Sequence, residues 1–274
     1  MIRLPIGYYV EKAIDWLTYN LDSFFSMIKT ILLAIINSFE FIFTGIPFIV
    51  MLLIFVIISW KVAGRNVAIF TAIGLVIIKS INLWQQTMST FALVATATVI
   101  AIVIGIPLGI WMSFRDTVNS FVRPILDFMQ TMPAFVYLIP AVYFFDLGPV
   151  PGAVATIIFA MPPIVRLTNL GIRQVAEDVI EASRAFGATS SQMLFKVQIP
   201  LAMPTILAGL NQTIMLSLSM VVISAMIGSG GLGDVVLRGI TQMRVGLGFE
   251  GGLAVVILAM ILDRITQSLG PKEK

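Results

Sequence analysis

The sequence has 274 residues, of which 58% are hydrophobic and 11% are charged, and its mean hydropathy is +1.01. Soluble domains carry roughly 25% charged residues, so most of this chain is predicted to lie in lipid. The formal charge of +3 comes without clustered basic runs, which excludes nucleic acid as a predicted partner. Histidine and cysteine are absent, so the sequence predicts no catalytic residues, no metal site and no enzyme activity.

The N-terminal region, residues 1–44, carries apolar side chains at helical spacing from Leu17 onwards. Asp15, Asp22 and Lys29 fall on the opposite face. An amphipathic helix with a charged face is typical of a helix lying in the membrane interface. The alternative is a helix that packs against the membrane spans.

About seven apolar segments follow, which predicts an all-α polytopic membrane protein. Two form a peripheral pair within residues 45–84, and five form a core within residues 85–270. The predicted spans are 45–60, 67–83, 90–112, 125–145, 150–170, 205–227 and 253–269.

Small residues and prolines mark particular spans. Gly105 and Gly109 in the third span allow close approach of another helix, although Pro107 could instead end that helix. Prolines in the fourth and fifth spans free backbone carbonyls, which lipid tolerates only beside protein or a watery cavity. These two spans are therefore predicted to border a pathway.

The distribution of lysine and arginine predicts the topology in the cell membrane. With seven spans, eleven of the basic residues fall on the side of the C-terminus and six on the other side. Basic residues accumulate in cytoplasmic loops. The N-terminus is therefore predicted outside and the C-terminus in the cytoplasm.

The longest polar break, residues 171–204, is predicted to lie in the cytoplasm. Gly187 stands where a glycine would end a helix, and Thr189 with Gln192 forms a capping-box pattern that starts a second helix. The predicted apolar face of the first helix runs from Ile172 to Phe186. This pattern indicates a rigid elbow, although an ordinary helical hairpin remains the alternative.

Nucleotide and ion-coupling signals are weak. Residues 228–233 match the pattern G-x-G-x-x-G, but a predicted membrane helix precedes them where a dinucleotide site needs a strand. Residues 228–233 are therefore predicted to form a flexible connection. We find no P-loop pattern and no carboxylate at predicted mid-span, which disfavours proton coupling, whereas sodium coupling through carbonyls and hydroxyls stays open.

The polar loop also carries a longer motif. Glu181-Ala-Ser183, then Gly187, then Val197-x-Ile199-Pro200 resembles the "EAA" loop of ABC importer permeases, E-A-A-x-x-x-G followed after nine residues by I-x-L-P. The stretches ILDFMQTMPAFVYLIPAVYFF and NQTIMLSLSMVVISAMIGSGGLG resemble permeases of glycine betaine and related quaternary-amine importers. The resemblance is strong over residues 85–270.

This resemblance implies a type I, binding-protein-dependent ABC importer. Its expected partners are the lipid bilayer, a second permease copy, two cytoplasmic ATPases that hold ATP and magnesium, and a separate extracellular binding protein. This chain is expected to hold no cofactor. In such families the loop docks on the ATPase, which implies a coupling role for Glu181, Ala182, Ser183, Gly187, Ile199 and Pro200.

A quaternary-amine substrate would favour aromatic faces, because cation–π contact suits a weakly hydrated cation. Aromatic candidates in the fourth span are Phe128, Phe135, Tyr137 and Tyr143, with packing as the alternative. Polar candidates in the sixth span are Asn211, Ser217, Ser219 and Ser224. The rival function is an ATP-independent secondary transporter of small zwitterions.

Overall fold

A computed structural model describes residues 5–270, and the predicted all-α fold is confirmed for them. The ends of the chain, with Arg3, Lys272 and Lys274 of the charge count, lie outside these residues. A π-helical segment, Leu194–Gln198, joins α10 to α11. The helices are α1 (Ile6–Asn20), α2 (Asp22–Gly45), α3 (Phe48–Ala63), α4 (Arg65–Ser80), α5 (Trp84–Phe114), α6 (Asp116–Thr131), α7 (Ala134–Phe145), α8 (Pro149–Arg173), α9 (Glu177–Ala185), α10 (Ser190–Met193), α11 (Ile199–Ala225), α12 (Gly231–Thr241) and α13 (Val245–Gln267).

Five helices are long and apolar enough to cross a membrane, or six if α6 and α7 count as one broken span. They are α2, α5, α8, the continuous α10–α11 unit and α13. The first two predicted spans are the helices α3 and α4, of 16 residues each, or about 24 Å. They form a hairpin that turns at Gly64, whose φ of +91° suits glycine. The predicted number of about seven spans is thus approximate.

The predicted span 125–145 is broken. Helices α6 and α7 meet at an angle of 101° around Met132 and Pro133. Pro133 has no N–H group to donate to the carbonyl of Met129, and the Tyr137 hydroxyl donates to that carbonyl instead, at 2.6 Å. The break therefore has its freed carbonyl satisfied inside the protein.

Helices α5, α8 and α11 pack closely through glycines. A Cβ at Gly105 would lie 2.6 Å from the Ile164 side chain, and one at Gly109 would lie 2.6 Å from the Val165 carbonyl oxygen. The close-approach prediction for these two glycines is confirmed, and α5 continues past Pro107 without a break. Gly209 of α11 lies against the same turn of α8, beside Ile164.

The prediction of a flexible connection over residues 228–233 is wrong for its second half, because residues 231–233 begin α12. The backbone N–H of Leu232 donates to the buried Thr90 hydroxyl at 2.8 Å. Gly233 lies so close to the Val221 carbonyl that a Cβ would sit 2.1 Å from its oxygen. The glycines therefore permit close packing of α12 on α5 and α11.

The bundle has two ends, which we call the loop end and the far end. Helix α8 ends and α11 begins at the loop end, whereas α5 and α8 both begin at the far end. Helix α2 is bound at the far end twice, by the Lys29–Asp146 ion pair at 2.6 Å and by the Ser89 hydroxyl, which donates to Glu40 at 2.6 Å. Two anchors at one end indicate an oblique course for α2, and the interfacial assignment of residues 1–44 stays a prediction.

Candidate coupling loop and membrane pathway

Helix α9 ends in a hydrogen-bonded turn at Gly187. The N–H of Ala188 donates to the Ser183 carbonyl at 3.1 Å, and the N–H of Gly187 donates to the Arg184 carbonyl at 2.9 Å. Gly187 has a φ of +78°. This is the Schellman arrangement, in which a glycine allows the left-handed residue after the helix. The predicted helix stop at Gly187 is confirmed.

The second helix of the loop begins at the predicted capping box, which is also confirmed. The N–H of Gln192 donates to the Thr189 hydroxyl at 3.3 Å, and the N–H of Thr189 donates to the Gln192 side-chain carbonyl at 3.0 Å. Two helix ends, separated by residues 186–189, are thus held by local hydrogen bonds. We call residues 181–200 the elbow, and local hydrogen bonds at these two helix ends define its shape.

A π-helical turn lies immediately before the N-terminus of α11. The N–H of Ile199 donates to the carbonyl of Leu194, five residues earlier, and Pro200 follows with no N–H group. Pro200 is exposed and Ile199 is half-buried. Extra π turns inside helices occur often at functional sites, and this one lies where the loop meets a membrane helix.

The surface of the elbow is left open. No residue of α9 is buried, and Phe186 is 93% exposed. Glu181, Ala182 and Gly187 are exposed, and the half-buried Ser183 donates its hydroxyl to the Val179 carbonyl. The apolar face predicted from Ile172 to Phe186 is interrupted, because α8 ends at Arg173 and α9 begins at Glu177. A cavity of about 520 Å³ lies in the elbow between Ser183, Phe186 and Lys196.

The four aromatic pathway candidates do not form one surface. Phe128 lies on α6 and the other three lie on α7, beyond the 101° bend. Tyr137 is buried and bonded to the Met129 carbonyl, whereas Phe128, Phe135 and Tyr143 are exposed. Within residues 5–270, none of these four rings pairs with another aromatic ring.

The polar candidates on α11 face different ways. Asn211 binds α13, since its amide donates to Asp263 at 2.9 Å and its carbonyl accepts from Thr266 at 2.7 Å. Ser217 and Ser224 are buried and donate to carbonyls of their own helix. Ser219 is exposed.

Gln212, which the sequence analysis passed over, is exposed on the same face of α11 as Ser219. A helical wheel of α11 would have revealed this, because residues 208, 212, 215 and 219 recur at three- and four-residue spacing.

Two ion pairs tie α6 to α8 near the loop end. Arg166 pairs with Asp127, and Arg173 pairs with Asp116 at 2.7 Å. Arg173 also donates to the Met112 carbonyl at 2.8 Å. A cavity of about 440 Å³ lies between these groups and Arg123. The pairs hold the amphipathic helix α6 against α8 on the loop side of the α6–α7 break.

Comparison with known proteins places these features in a family. Residues 101–274 match the model of the family "Binding-protein-dependent transport system inner membrane component". The chain is 51% identical to the glycine betaine transport system permease protein OpuAB of Bacillus subtilis, over 99% of this chain and 96% of that protein. It is 51% identical to the glycine betaine/proline betaine permease protein ProW of Escherichia coli, over 97% of this chain and 75% of that protein.

A further relative agrees with this placement, and a solved structure has a similar fold. The glycine betaine/carnitine permease protein GbuB of Listeria monocytogenes is 48% identical over 99% of this chain and 97% of its own length. The fold is similar to a chain of the MetNI methionine ABC transporter in an inward-facing conformation, with a TM-score of 0.61. That likeness covers 69% of this chain and 96% of the other at 22% identity.

Proposed function

The chain belongs to the family of binding-protein-dependent transport system inner membrane components, and from that premise we propose how it works in an ATP-driven importer of glycine betaine or a related compatible solute. It is a multi-pass membrane permease subunit and forms the translocation pathway. Its near relatives over almost the whole chain are named as glycine betaine permeases. Their names supply the substrate class proposed here.

The observation that carries this proposal is the exposed elbow from Glu181 to Pro200. Its shape is set by the Gly187 turn and the Thr189 capping box, and its apolar tip, Phe186, is 93% exposed. An exposed elbow of defined shape on a membrane protein is suited to docking on a soluble partner. We assign that partner as the ATPase, with Glu181, Ala182, Ser183 and Gly187 on the docking surface and Ile199 and Pro200 at the hinge to α11.

The proposed assembly has two copies of this chain, two ATPases that hold ATP and magnesium, and an extracellular binding protein. The loop end lies in the cytoplasm, the N-terminus outside and the C-terminus inside, as the bias of basic residues favours. ATP-driven closure of the ATPases pushes on the elbow. The continuous helix Ser190–Ala225 carries that push from the elbow into the membrane.

Reconstitution in lipid vesicles tests this function. The chain with its ATPase and binding protein should take up glycine betaine only when ATP is supplied on the ATPase side. The matched control is the chain alone in vesicles with a sodium or proton gradient. Uptake by the chain alone down an ion gradient would establish the secondary-transporter alternative and contradict the proposal.

A further inference from the structure

Helix α11 exposes one stripe of residues from Leu201 to Ser219. The stripe lies about 100° around α11 from Gly209, which contacts Ile164 of α8. Its members recur every three or four residues, so they share one face of the helix. They are Leu201, Pro204, Ala208, Gln212, Met215 and Ser219.

Gln212 lies near the middle of α11. At the loop end Ala202 packs on Gly171, and at the far end Ser224 packs on Gly152. Gln212 is ten residues from Ala202 and twelve from Ser224, which corresponds to about 15 and 18 Å along the helix. Its side chain is exposed and makes no hydrogen bond within the part of the chain that the structure describes.

An exposed carboxamide at this depth does not suit lipid, because hydrocarbon offers no hydrogen-bond partner. The exposed face of α5 shows the contrast, since Val99, Val103 and Ile104 are all apolar there. Val103 is 66% exposed and lies at a comparable depth, because Gly105 and Gly209 both contact Ile164. The α5 face therefore suits lipid, whereas the α11 stripe needs water or another polar surface.

We propose that the α11 stripe lines the aqueous pathway and that Gln212 contacts the zwitterionic solute at mid-depth. This inference rests on the proposed transport function. The carboxamide N–H groups of Gln212 can donate to the carboxylate of the solute, and the thioether of Met215 offers a polarisable surface to its methylated ammonium. The stripe carries no charged residue, so a passing zwitterion meets no ion pair strong enough to hold it there.

Cysteine labelling tests the position of the stripe, since the chain has no native cysteine. Gln212→Cys and Ser219→Cys are compared with the depth-matched control Val103→Cys in the assembled transporter, with a charged, hydrophilic thiol reagent. The two stripe variants should react at least roughly tenfold faster, because only a thiol in contact with water ionises readily. Equal, slow rates at residues 212 and 103 overturn the proposal. Efficient disulfide formation between two Gln212→Cys copies without labelling also overturns the proposal, because it shows that residue 212 lies in a water-free interface between the copies.

Uptake kinetics test the contact with the solute. Gln212→Leu should lower the uptake rate at low substrate concentration about tenfold, because it removes the hydrogen bond from the carboxamide to the solute. Gln212→Asn keeps a carboxamide and should restore part of the uptake rate. Val103→Leu is the control and should transport normally. Unchanged uptake in Gln212→Leu overturns the contact. Failure of the wild-type complex to use ATP contradicts the proposed function instead, whereas the labelling comparison is made without ATP.

Discussion

The membrane helices and the coupling loop use their apolar side chains in opposite ways. Phe55 on α3 is buried and packs edge-on against Phe91 at 5.4 Å, whereas Phe186 at the tip of the elbow is almost fully exposed. The helices derive their order from contacts with one another. The elbow derives its order from hydrogen bonds at two helix ends, and so its apolar surface remains free for another chain.

The same contrast holds for glycine. Gly109 is needed because α8 lies too close for a Cβ, whereas Gly187 has open space around it and is needed for its positive φ. One glycine serves packing and the other serves backbone shape. Substitutions in the helices should therefore reduce stability, and substitutions in the elbow should reduce coupling to the partner.

The two phenylalanines give the largest predicted difference. Phe55→Ala should destabilise the isolated chain by about 3–5 kcal/mol, because it leaves a cavity in a packed cluster. Phe186→Ala should leave the stability of the chain unchanged and weaken ATPase binding by about 2 kcal/mol, roughly thirtyfold in Kd. Unfolding in detergent and ATPase titration measure the two effects. A stability loss in Phe186→Ala of the size seen in Phe55→Ala would contradict the contrast.

Gly187→Val tests backbone shape in the elbow. A β-branched residue at a φ of +78° is strained, so the helix stop should shift and the docking surface with it. We expect normal membrane insertion and a loss of ATP-driven uptake of roughly a hundredfold, or ATP hydrolysis uncoupled from uptake. Gly187→Asn is the control, because asparagine tolerates the left-handed region. Wild-type uptake in Gly187→Val would contradict the proposed coupling role of Gly187.

Gly109→Ala tests packing between α5 and α8. The added methyl group would overlap the Val165 carbonyl and Thr168, so the helices must separate, at a cost of about 1–3 kcal/mol. Gly252→Ala in α13 is the control, because a Cβ there meets nothing within 4 Å. That change should stabilise the helix by about 0.5–1 kcal/mol. In thermal unfolding, Gly109→Ala should have a lower Tm than the wild type, and Gly252→Ala should not. Equal Tm values for the two variants would mean that α5 and α8 adjust freely.

Features with local causes could be predicted from the sequence. The Gly187 stop and the Thr189–Gln192 capping box depend on residues within one turn, and both were found where the pattern placed them. The coupling assignment rested on the spacing from Glu181 to Pro200 and stays a proposal.

Features with distant causes could not be predicted from local patterns. The segment that starts α12 is as glycine-rich as a loop, and only its fit against Thr90 and Val221 makes it helical and packed. The orientation of Asn211 depends on Asp263 and Thr266, 52 and 55 residues away. Prolines behaved unequally for the same reason, since α5 and α8 continue through Pro107 and Pro162 while the chain bends sharply at Pro133.

The smallest predicted effect concerns the hydroxyl that supports the α6–α7 break. Tyr137→Phe removes the hydrogen bond to the Met129 carbonyl and leaves that half-buried acceptor without its partner, which should destabilise the chain by about 1 kcal/mol. Tyr143→Phe, on the exposed face of the same helix, is the matched control and should change stability little. Thermal unfolding of both variants measures the difference. If Tyr137→Phe is as stable as Tyr143→Phe but alters uptake, Tyr137 acts in the pathway, and the freed carbonyl at the break is satisfied by water.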